Sequence, residues 1–226
     1  MVDRRTVRAG LACLLGLAVA LAAAGCGTGA AGTPGTSPAP RRTGVLDSTM
    51  RATDALPSVQ SMIALDRHWR TADDGAVEWS RPDVVDGRAA RQHCEREWRR
   101  DCPGLTMTGG AGYDLAYDRS VRATASFTLY AFDTPDAARQ AMAVLPALPG
   151  TEKSKPVDLP GGAGSARAYS TRAGAPHRIE SFTRTGTVVT VVDYRATPAT
   201  TAAAGALVSL QATRLRTVLT GHEPAL

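Results

Sequence analysis

The 226-residue sequence contains no asparagine and only two lysines, so 24 of its 26 basic residues are arginine. Without asparagine the chain has no acceptor for N-glycosylation. Aromatic residues are also scarce, at 5% of the chain. The hydrophobic share of 43% and the charged share of 21% nevertheless fit a folded globular protein and not a disordered one.

The short motifs of several enzyme classes are missing as well. The sequence has no Gly-x-Ser-x-Gly, Ser-x-x-Lys or His-Glu-x-x-His pattern and no Gly-x-x-x-x-Gly-Lys-Ser/Thr phosphate loop. Its four histidines are dispersed, without a pair at metal-ligand spacing. We therefore expect no catalytic residue, no metal ligand and no cofactor. A hydrolase with a catalytic dyad distant in sequence stays open as an alternative.

The apolar run near the N-terminus is too short to cross a membrane. Residues 11–24 carry no charge and follow the basic residues Arg4, Arg5 and Arg8. A helix needs about 20 residues to span a hydrocarbon core of ~30 Å, and this run has about 14. It fits the apolar region of a signal peptide. We expect residues 1–25 to be a signal peptide and the mature protein to be exported.

The segment Ala23-Ala24-Gly25-Cys26 follows this run and resembles the lipobox of bacterial lipoproteins. The resemblance implies that Cys26 becomes the first mature residue and carries acyl chains such as palmitate. Residues 26–44 are rich in Gly, Thr, Pro and Ala without apolar periodicity, which predicts a flexible tether. We expect an anchor at the outer face of the cytoplasmic membrane, with the membrane as a partner. A plain secreted protein cut nearby is the alternative.

The net charge of +5 is partly a property of the signal peptide. Asp3, Arg4, Arg5 and Arg8 together carry two of these positive charges, which leaves three on the mature chain. Such a mild excess favours anionic surfaces only weakly, for example phospholipid headgroups or wall polymers. Nucleic acid is not an expected partner for a protein outside the cytoplasm.

Four cysteines are present, and two of them belong to the export signal. Cys13 is removed with the signal peptide and Cys26 is the predicted lipidation site, which leaves Cys94 and Cys102. An even pair in an oxidising compartment predicts a disulfide. A metal pair with His93 is the alternative, although common zinc ligand pairs are spaced more closely than these two cysteines.

Hydrophobic periodicity predicts an α+β domain over residues 45–226. Two strand pairs are each followed by a helix that a Thr-Pro pair opens, at Thr134-Pro135 and at Thr197-Pro198. The pattern indicates an antiparallel sheet with helices packed on one face, built as two halves of a β-hairpin plus a helix. The Gly-rich segments 109–112 and 161–164 are expected to be turns. Helices are predicted near residues 45–70, 88–100, 134–145 and 197–221, and strands near 113–117, 121–132, 166–170, 179–183 and 187–194.

One strand carries hydroxyl side chains on the side opposite Phe127 and Leu129. We predict a candidate ligand face at Thr128 and Tyr130, with Thr190 on the neighbouring strand, suited to a neutral polar ligand such as a sugar or peptide. The alternative is a solvated sheet face without function, because Thr and Tyr have high strand propensity.

Several short segments carry a family resemblance over roughly residues 50–220. These segments are Phe127-Thr-Leu-Tyr-Ala-Phe-Asp-Thr-Pro-Asp-Ala-Ala, Val188-Val-Thr-Val-Val, Arg214-Leu215, and Cys94 with Cys102-Pro-Gly-Leu105. The chain resembles small actinobacterial lipoproteins and the extracellular sensor domains of actinobacterial membrane Ser/Thr kinases. The resemblance implies a non-enzymatic module that senses or binds a small ligand. An envelope-assembly accessory that docks a membrane protein is the second hypothesis.

Overall fold

The structure is a computed structural model that describes residues 44–73, 79–145, 154–161, 164–170 and 176–224. Among these residues two short helices come first, and groups of two, two and four strands follow, each group ending in a helix. The elements are α1 (Thr49–Ala55), α2 (Val59–Leu65), β1 (Trp69–Thr71), β2 (Asp83–Asp86), α3 (Gly87–Trp98), β3 (Leu105–Tyr117), β4 (Ser120–Phe132), α4 (Pro135–Val144), β5 (Ser154–Pro156), β6 (Ser165–Ser170), β7 (Pro176–Thr185), β8 (Val188–Ala196) and α5 (Thr201–Leu219).

The eight strands among the described residues form one antiparallel sheet with the order β1-β3-β4-β8-β7-β6-β5, and β2 also pairs with β3. The β3–β4 and β7–β8 hairpins meet in the middle of the sheet through β4 and β8, where Phe127 lies opposite Val192. The predicted α+β class and antiparallel sheet are confirmed. The β3–β4 turn places Asp118 and Arg119 at positive φ, the conformation that a tight two-residue hairpin turn requires.

Local capping chemistry explains where the helices begin. The Thr134 side chain accepts a hydrogen bond from the Ala137 N–H and Pro135 occupies the first turn, as the sequence predicted. Helix α5 instead begins at Thr201 with Thr200 as its cap, later than the predicted Thr197-Pro198 start. The Ala199 N–H bonds to the Pro176 carbonyl, so the chain still runs beside β7 at this point and cannot yet turn into a helix.

Helices cover both faces of the sheet, whereas the sequence pattern predicted helices on one face only. The larger core lies between α1, α2 and α5 and the face that carries Phe127 and Leu129. The smaller core lies between α3 and α4 and the opposite face, which carries Tyr130 and Phe132. The two predicted hairpin-plus-helix halves therefore place their helices, α4 and α5, on opposite faces. The alternation within β4 allows this because both of its faces carry large apolar residues near its end.

The Gly-rich segment 109–112 lies inside β3, so the expectation that it forms a turn is wrong. A Cβ atom at Gly109 would lie 2.2 Å from the Asp83 carbonyl oxygen of β2. A Cβ atom at Gly110 would lie 2.6 Å from the Trp79 ring. Glycine is needed here because a neighbouring strand and an indole ring approach the backbone closely.

The N-terminal residues of the described part are fastened to the end of α5. The Gly44 N–H donates to the Leu219 carbonyl at 2.8 Å, so the chain enters the domain beside the C-terminus of α5. In the other direction, the buried Arg214 of α5 donates to the carbonyls of Leu56 and Asp54 at the end of α1. The predicted signal peptide and Cys26 lie outside the described residues. Within those residues, no helix combines the length and apolarity needed to cross a bilayer.

Candidate ligand-binding groove

The three hydroxyl residues of the predicted ligand face do not share a face of the sheet. Thr190 pairs with Leu129 and therefore lies on the opposite face from Thr128 and Tyr130. Its side chain is 1% exposed, and its Oγ1 lies 2.6 Å from Thr183 Oγ1. The prediction that Thr190 extends this face is wrong. The pairing register of β4 and β8 decides on which face of the sheet Thr190 lies, and the alternation within a single strand does not reveal that register.

Tyr130 is buried beneath α3 and connects that helix to the sheet. It is 1% exposed, and its hydroxyl donates to Glu97 Oε2 at 2.6 Å. The Trp98 Nε1–H donates to the same hydroxyl at 3.3 Å, with the two rings 4.8 Å apart. Of the three predicted residues, only Thr128 is half-buried and not fully covered. The structure thus assigns Tyr130 to the packing of α3, and the three residues do not form a site together.

The C-terminal half of α3 is held by a disulfide between Cys94 and Cys102. Helix α3 ends where Arg99 adopts a left-handed conformation, and the chain then turns back so that Cys102 meets Cys94 one turn inside the helix. Both cysteines are almost fully buried. Since the two sulfurs are bonded to each other, they are not free to ligate a metal together with His93.

A groove of about 380 Å³ lies between this disulfide-bonded loop and α4. We call it the α4 groove. Its base is largely apolar, with the Trp98 and Phe132 rings and the Cys102 sulfur almost buried below the opening. Polar side chains lie at the margin of the groove. The lining residues are Trp98, Arg100, Asp101, Cys102, Pro103, Phe132, Ala137, Gln140, Ala141 and Val144.

Three local features of the sequence produce this groove. The disulfide ties the 100–103 loop to α3, and this loop forms one side of the groove. Helix α4 packs on the sheet through the small buried residues Ala138 and Ala141, so it presents little side-chain bulk to the groove. Phe132 ends β4 and fills the base between the two. The disulfide-bonded loop and the segment that begins at Phe132 are about 30 residues apart in the chain, so sequence periodicity does not indicate that they meet.

The lining combines a mostly apolar surface with three polar side chains. Among the described residues that line the groove, there is no histidine, serine or free cysteine. Its polar groups are a guanidinium, a carboxylate and an amide, from Arg100, Asp101 and Gln140. A mostly apolar concavity with a few polar groups is the usual form of a small-molecule site, and the volume lies in the usual range of about 300–1,000 Å³.

The same face of the sheet carries a charged network farther from α4, which sequence reasoning missed. Arg178 donates to Asp193 at 2.9 Å and to Glu180 at 3.0 Å, and its guanidinium lies 4.7 Å from the Tyr169 ring centroid. The Tyr169 hydroxyl donates to Glu180 at 2.7 Å. Burial and the Glu180 carboxylate raise the pKa of Tyr169 to about 12. These groups satisfy one another across three strands, so the network supports the sheet.

A single buried carboxyl on this face is less well satisfied. Asp114 of β3 is 3% exposed, and its Oδ1 has no hydrogen-bond partner among the described residues. Burial raises the pKa of Asp114, and the Arg70 guanidinium on the neighbouring strand β1 opposes that rise in part. The group lies at the far end of the sheet from the α4 groove, near the start of β4, so it does not contribute to that site.

A second concavity of about 410 Å³ borders the α4 groove through Phe132, which lines both. Its other sides come from the N-terminal residues Val45 and Leu46 and from the start of α3 at Gly87. Three aspartates, Asp47, Asp86 and Asp133, also line it. Because Phe132 lines both concavities, the α4 groove lies close to the point where the chain enters the domain.

Comparison with known proteins shows little. No protein-family model matches the chain, and no curated protein matches it. Among solved structures, the chain is similar to the crystal structure of the extracellular domain of PknH from Mycobacterium tuberculosis. The identity is 13% and the TM-score 0.47, over 76% of this chain and 96% of that chain.

Proposed function

We propose that this protein is an exported lipoprotein whose folded domain binds a small ligand without transforming it. Acyl chains on Cys26 hold the domain at the outer face of the cytoplasmic membrane. The support for the anchor is the charged start, the short apolar run and the lipobox-like segment before Cys26. The disulfide between Cys94 and Cys102 fits the oxidising compartment that such an address implies.

The α4 groove is the observation that supports ligand binding. Its apolar base can remove an apolar part of a ligand from water, while Arg100, Asp101 and Gln140 can orient a polar end. Hydrolysis would need a nucleophile beside a base within hydrogen-bond reach, and the described lining residues offer no such pair. The groove therefore favours a binding module over the hydrolase alternative.

Titration with an apolar fluorophore tests the binding site. The exported Cys26→Ser protein, which lacks the acyl chains, is titrated with 8-anilinonaphthalene-1-sulfonate, whose emission rises in an apolar site. Val144→Phe adds bulk to a lining position and should weaken the affinity about tenfold, which corresponds to about 1.4 kcal/mol. Ala143→Phe makes the same kind of change at the adjacent exposed position outside the groove, and its affinity should stay within twofold of the parent.

Thermal unfolding of both variants controls for damage to the fold, since an unfolding protein also binds this fluorophore. Equal affinities of the parent, Val144→Phe and Ala143→Phe, with equal unfolding midpoints, would exclude the groove as the binding site.

A further inference from the structure

The outer side of α3 carries a row of exposed arginines. The apolar side of this helix faces the smaller core. At about 100° per residue, positions 88, 91 and 96 fall within an arc of about 140° on the other side, and Arg99 continues the row at the C-terminal cap. The row is about 16 Å long at the rise of an α-helix. We call it the arginine stripe, and its four members, all exposed, are Arg88, Arg91, Arg96 and Arg99.

The arginine stripe has no ionic partner within the described part of the chain. None of its side chains forms an ion pair or a hydrogen bond with another described residue. Of the two glutamates of α3, Glu97 accepts a hydrogen bond from Tyr130 and lies 3.6 Å from His93, at the side that faces the sheet. Glu95 is therefore the one acid of α3 within the arc of the stripe. Four guanidinium groups and one carboxylate give a net charge of three, which equals that of residues 26–226 as a whole.

Local helix energetics do not account for these arginines. The first turn of α3 has no acidic residue and carries Arg88 beside the positive end of the helix dipole, which disfavours a cation there. Arg88 and Arg91 are three positions apart and are therefore neighbours on the helix surface, as are Arg96 and Arg99, so like charges repel within each pair. Both effects cost free energy in the isolated domain. An anion bound along the stripe would offset this cost.

The surroundings of the arginine stripe select among anions. A helix that binds in a membrane surface buries an apolar side in the bilayer, but Ala90, Cys94 and Trp98 of α3 are already buried in the smaller core. The centre of a protein–protein interface is poor in charge and rich in aromatic residues, and the exposed side of α3 has neither property. A row of charges without apolar contacts suits an extended polymer whose charges repeat along its length. Each guanidinium can bind one phosphate or carboxylate through two hydrogen bonds.

We propose that the arginine stripe binds a linear polyanion, a polymer that carries a phosphate or carboxylate on successive repeats. The disulfide and the packing of Trp98 hold α3 on the sheet, so the row of charges is preformed and little has to be ordered on binding. No residue of the stripe lines the α4 groove. The proposal goes beyond the proposed function, because it depends on neither the groove nor the lipid anchor.

Fluorescence anisotropy of labelled linear polyphosphate tests the stripe. The probe is titrated with the exported Cys26→Ser protein, so that no acyl chain contributes to binding. Arg88→Gln/Arg91→Gln/Arg96→Gln should weaken binding about tenfold or more, because three of the four charges are lost. The matched control, Arg67→Gln/Arg122→Gln/Arg216→Gln, removes the same total charge from exposed positions outside α3 and should stay within about twofold of the parent. Equal losses in the two variants would show that binding follows net charge alone, and would overturn the proposal.

The salt dependence of binding is an independent readout. Each contact between a protein cation and a polyanion releases counterions, so the affinity of the parent should fall steeply as salt rises, and that of the α3 variant less steeply. Parallel salt slopes would contradict contacts at the stripe. Thermal unfolding controls for the fold, since exposed substitutions usually change stability by no more than about 0.5 kcal/mol. If the triple variant folds poorly, Arg88→Gln/Arg91→Gln leaves the half of α3 beside the disulfide unchanged and should still weaken binding about threefold.

Other probes decide which kind of partner the stripe recognises. Labelled poly-glutamate distinguishes carboxylates from phosphates, and stripe-dependent binding of either polymer supports the proposal. Vesicles of phosphatidylglycerol present phosphate charges on a membrane surface. If they bind the Cys26→Ser protein as tightly per accessible phosphate as polyphosphate does, the stripe recognises a membrane surface and the assignment of a polymer is wrong. If neither polymer binds at low ionic strength, the proposal is wrong altogether.

Discussion

Loss of the disulfide between Cys94 and Cys102 should weaken both the fold and the α4 groove. The bond closes a loop across a sequence separation of 8 residues. In the chain-entropy treatment, a closed loop of this size makes the unfolded state less favourable by about 2.5 kcal/mol. The Cys94→Ala/Cys102→Ala variant should lose about that free energy of unfolding, because both positions are buried and alanine fits without new bulk.

Thermal and urea unfolding measure this loss. For a domain of this size each 1 kcal/mol shifts the midpoint by about 2–4 °C, so we expect the double variant to unfold about 5–10 °C lower than the parent. Each single variant should lose a similar amount, since neither can form the bond. The parent treated with a thiol reductant should approach the same midpoint.

The groove should respond to the same change. Cys102 and Pro103 line one side, and without the bond the loop that carries them is no longer tied to α3. We expect the affinity for the apolar fluorophore to fall at least threefold in the double variant at a temperature where it is fully folded. A midpoint within about 1 °C of the parent, with unchanged affinity, would refute the reasoning that the disulfide maintains this part of the structure.

Three further predictions concern the lipid anchor at Cys26, the packing of Tyr130 against α3 and the buried carboxyl of Asp114. Cys26→Ser should abolish acyl labelling and move the protein from the membrane fraction to the medium; equal membrane fractionation would contradict the lipoprotein assignment. Tyr130→Ala should lower the free energy of unfolding in urea by about 3–5 kcal/mol, because it empties a buried site. Thr128→Ala should change this free energy by no more than about 0.5 kcal/mol. If both variants lost equally little stability, Tyr130 would have to lie at the surface. Burial raises the folded-state pKa of Asp114, so this group should make the protein less stable as the pH rises from about 4 through that pKa. Asp114→Asn should remove this decline in urea unfolding measured between pH 4 and 7, and an identical decline in both proteins would show that another group causes it.

The elements of the fold were largely predictable from the sequence, and the candidate site was not. The Thr134 cap with Pro135, the helix over α3 and the strands β4, β7 and β8 follow from interactions between residues a few positions apart. Strand β3 begins at Leu105, earlier than the predicted start near residue 113. The start of α5 was predicted too early, because a bond between Ala199 and the distant Pro176 keeps the chain extended. Gly109 and Gly110 were taken for a turn because the partners that require glycine come from another part of the chain.

The sequence by itself determined the pair of cysteines available for a disulfide, the α+β class and most helix and strand positions, and the export signal stays a prediction. These depend on composition and on contacts between near neighbours, which a linear sequence displays directly. Only the tertiary structure decided that Thr190 and Tyr130 lie on opposite faces, that helices cover both faces, and that Trp98, Phe132 and Val144 meet in one groove. Strand register and helix placement minimise the exposed apolar surface of the whole domain. This burial involves segments that are distant in sequence, so no local sequence pattern predicts it.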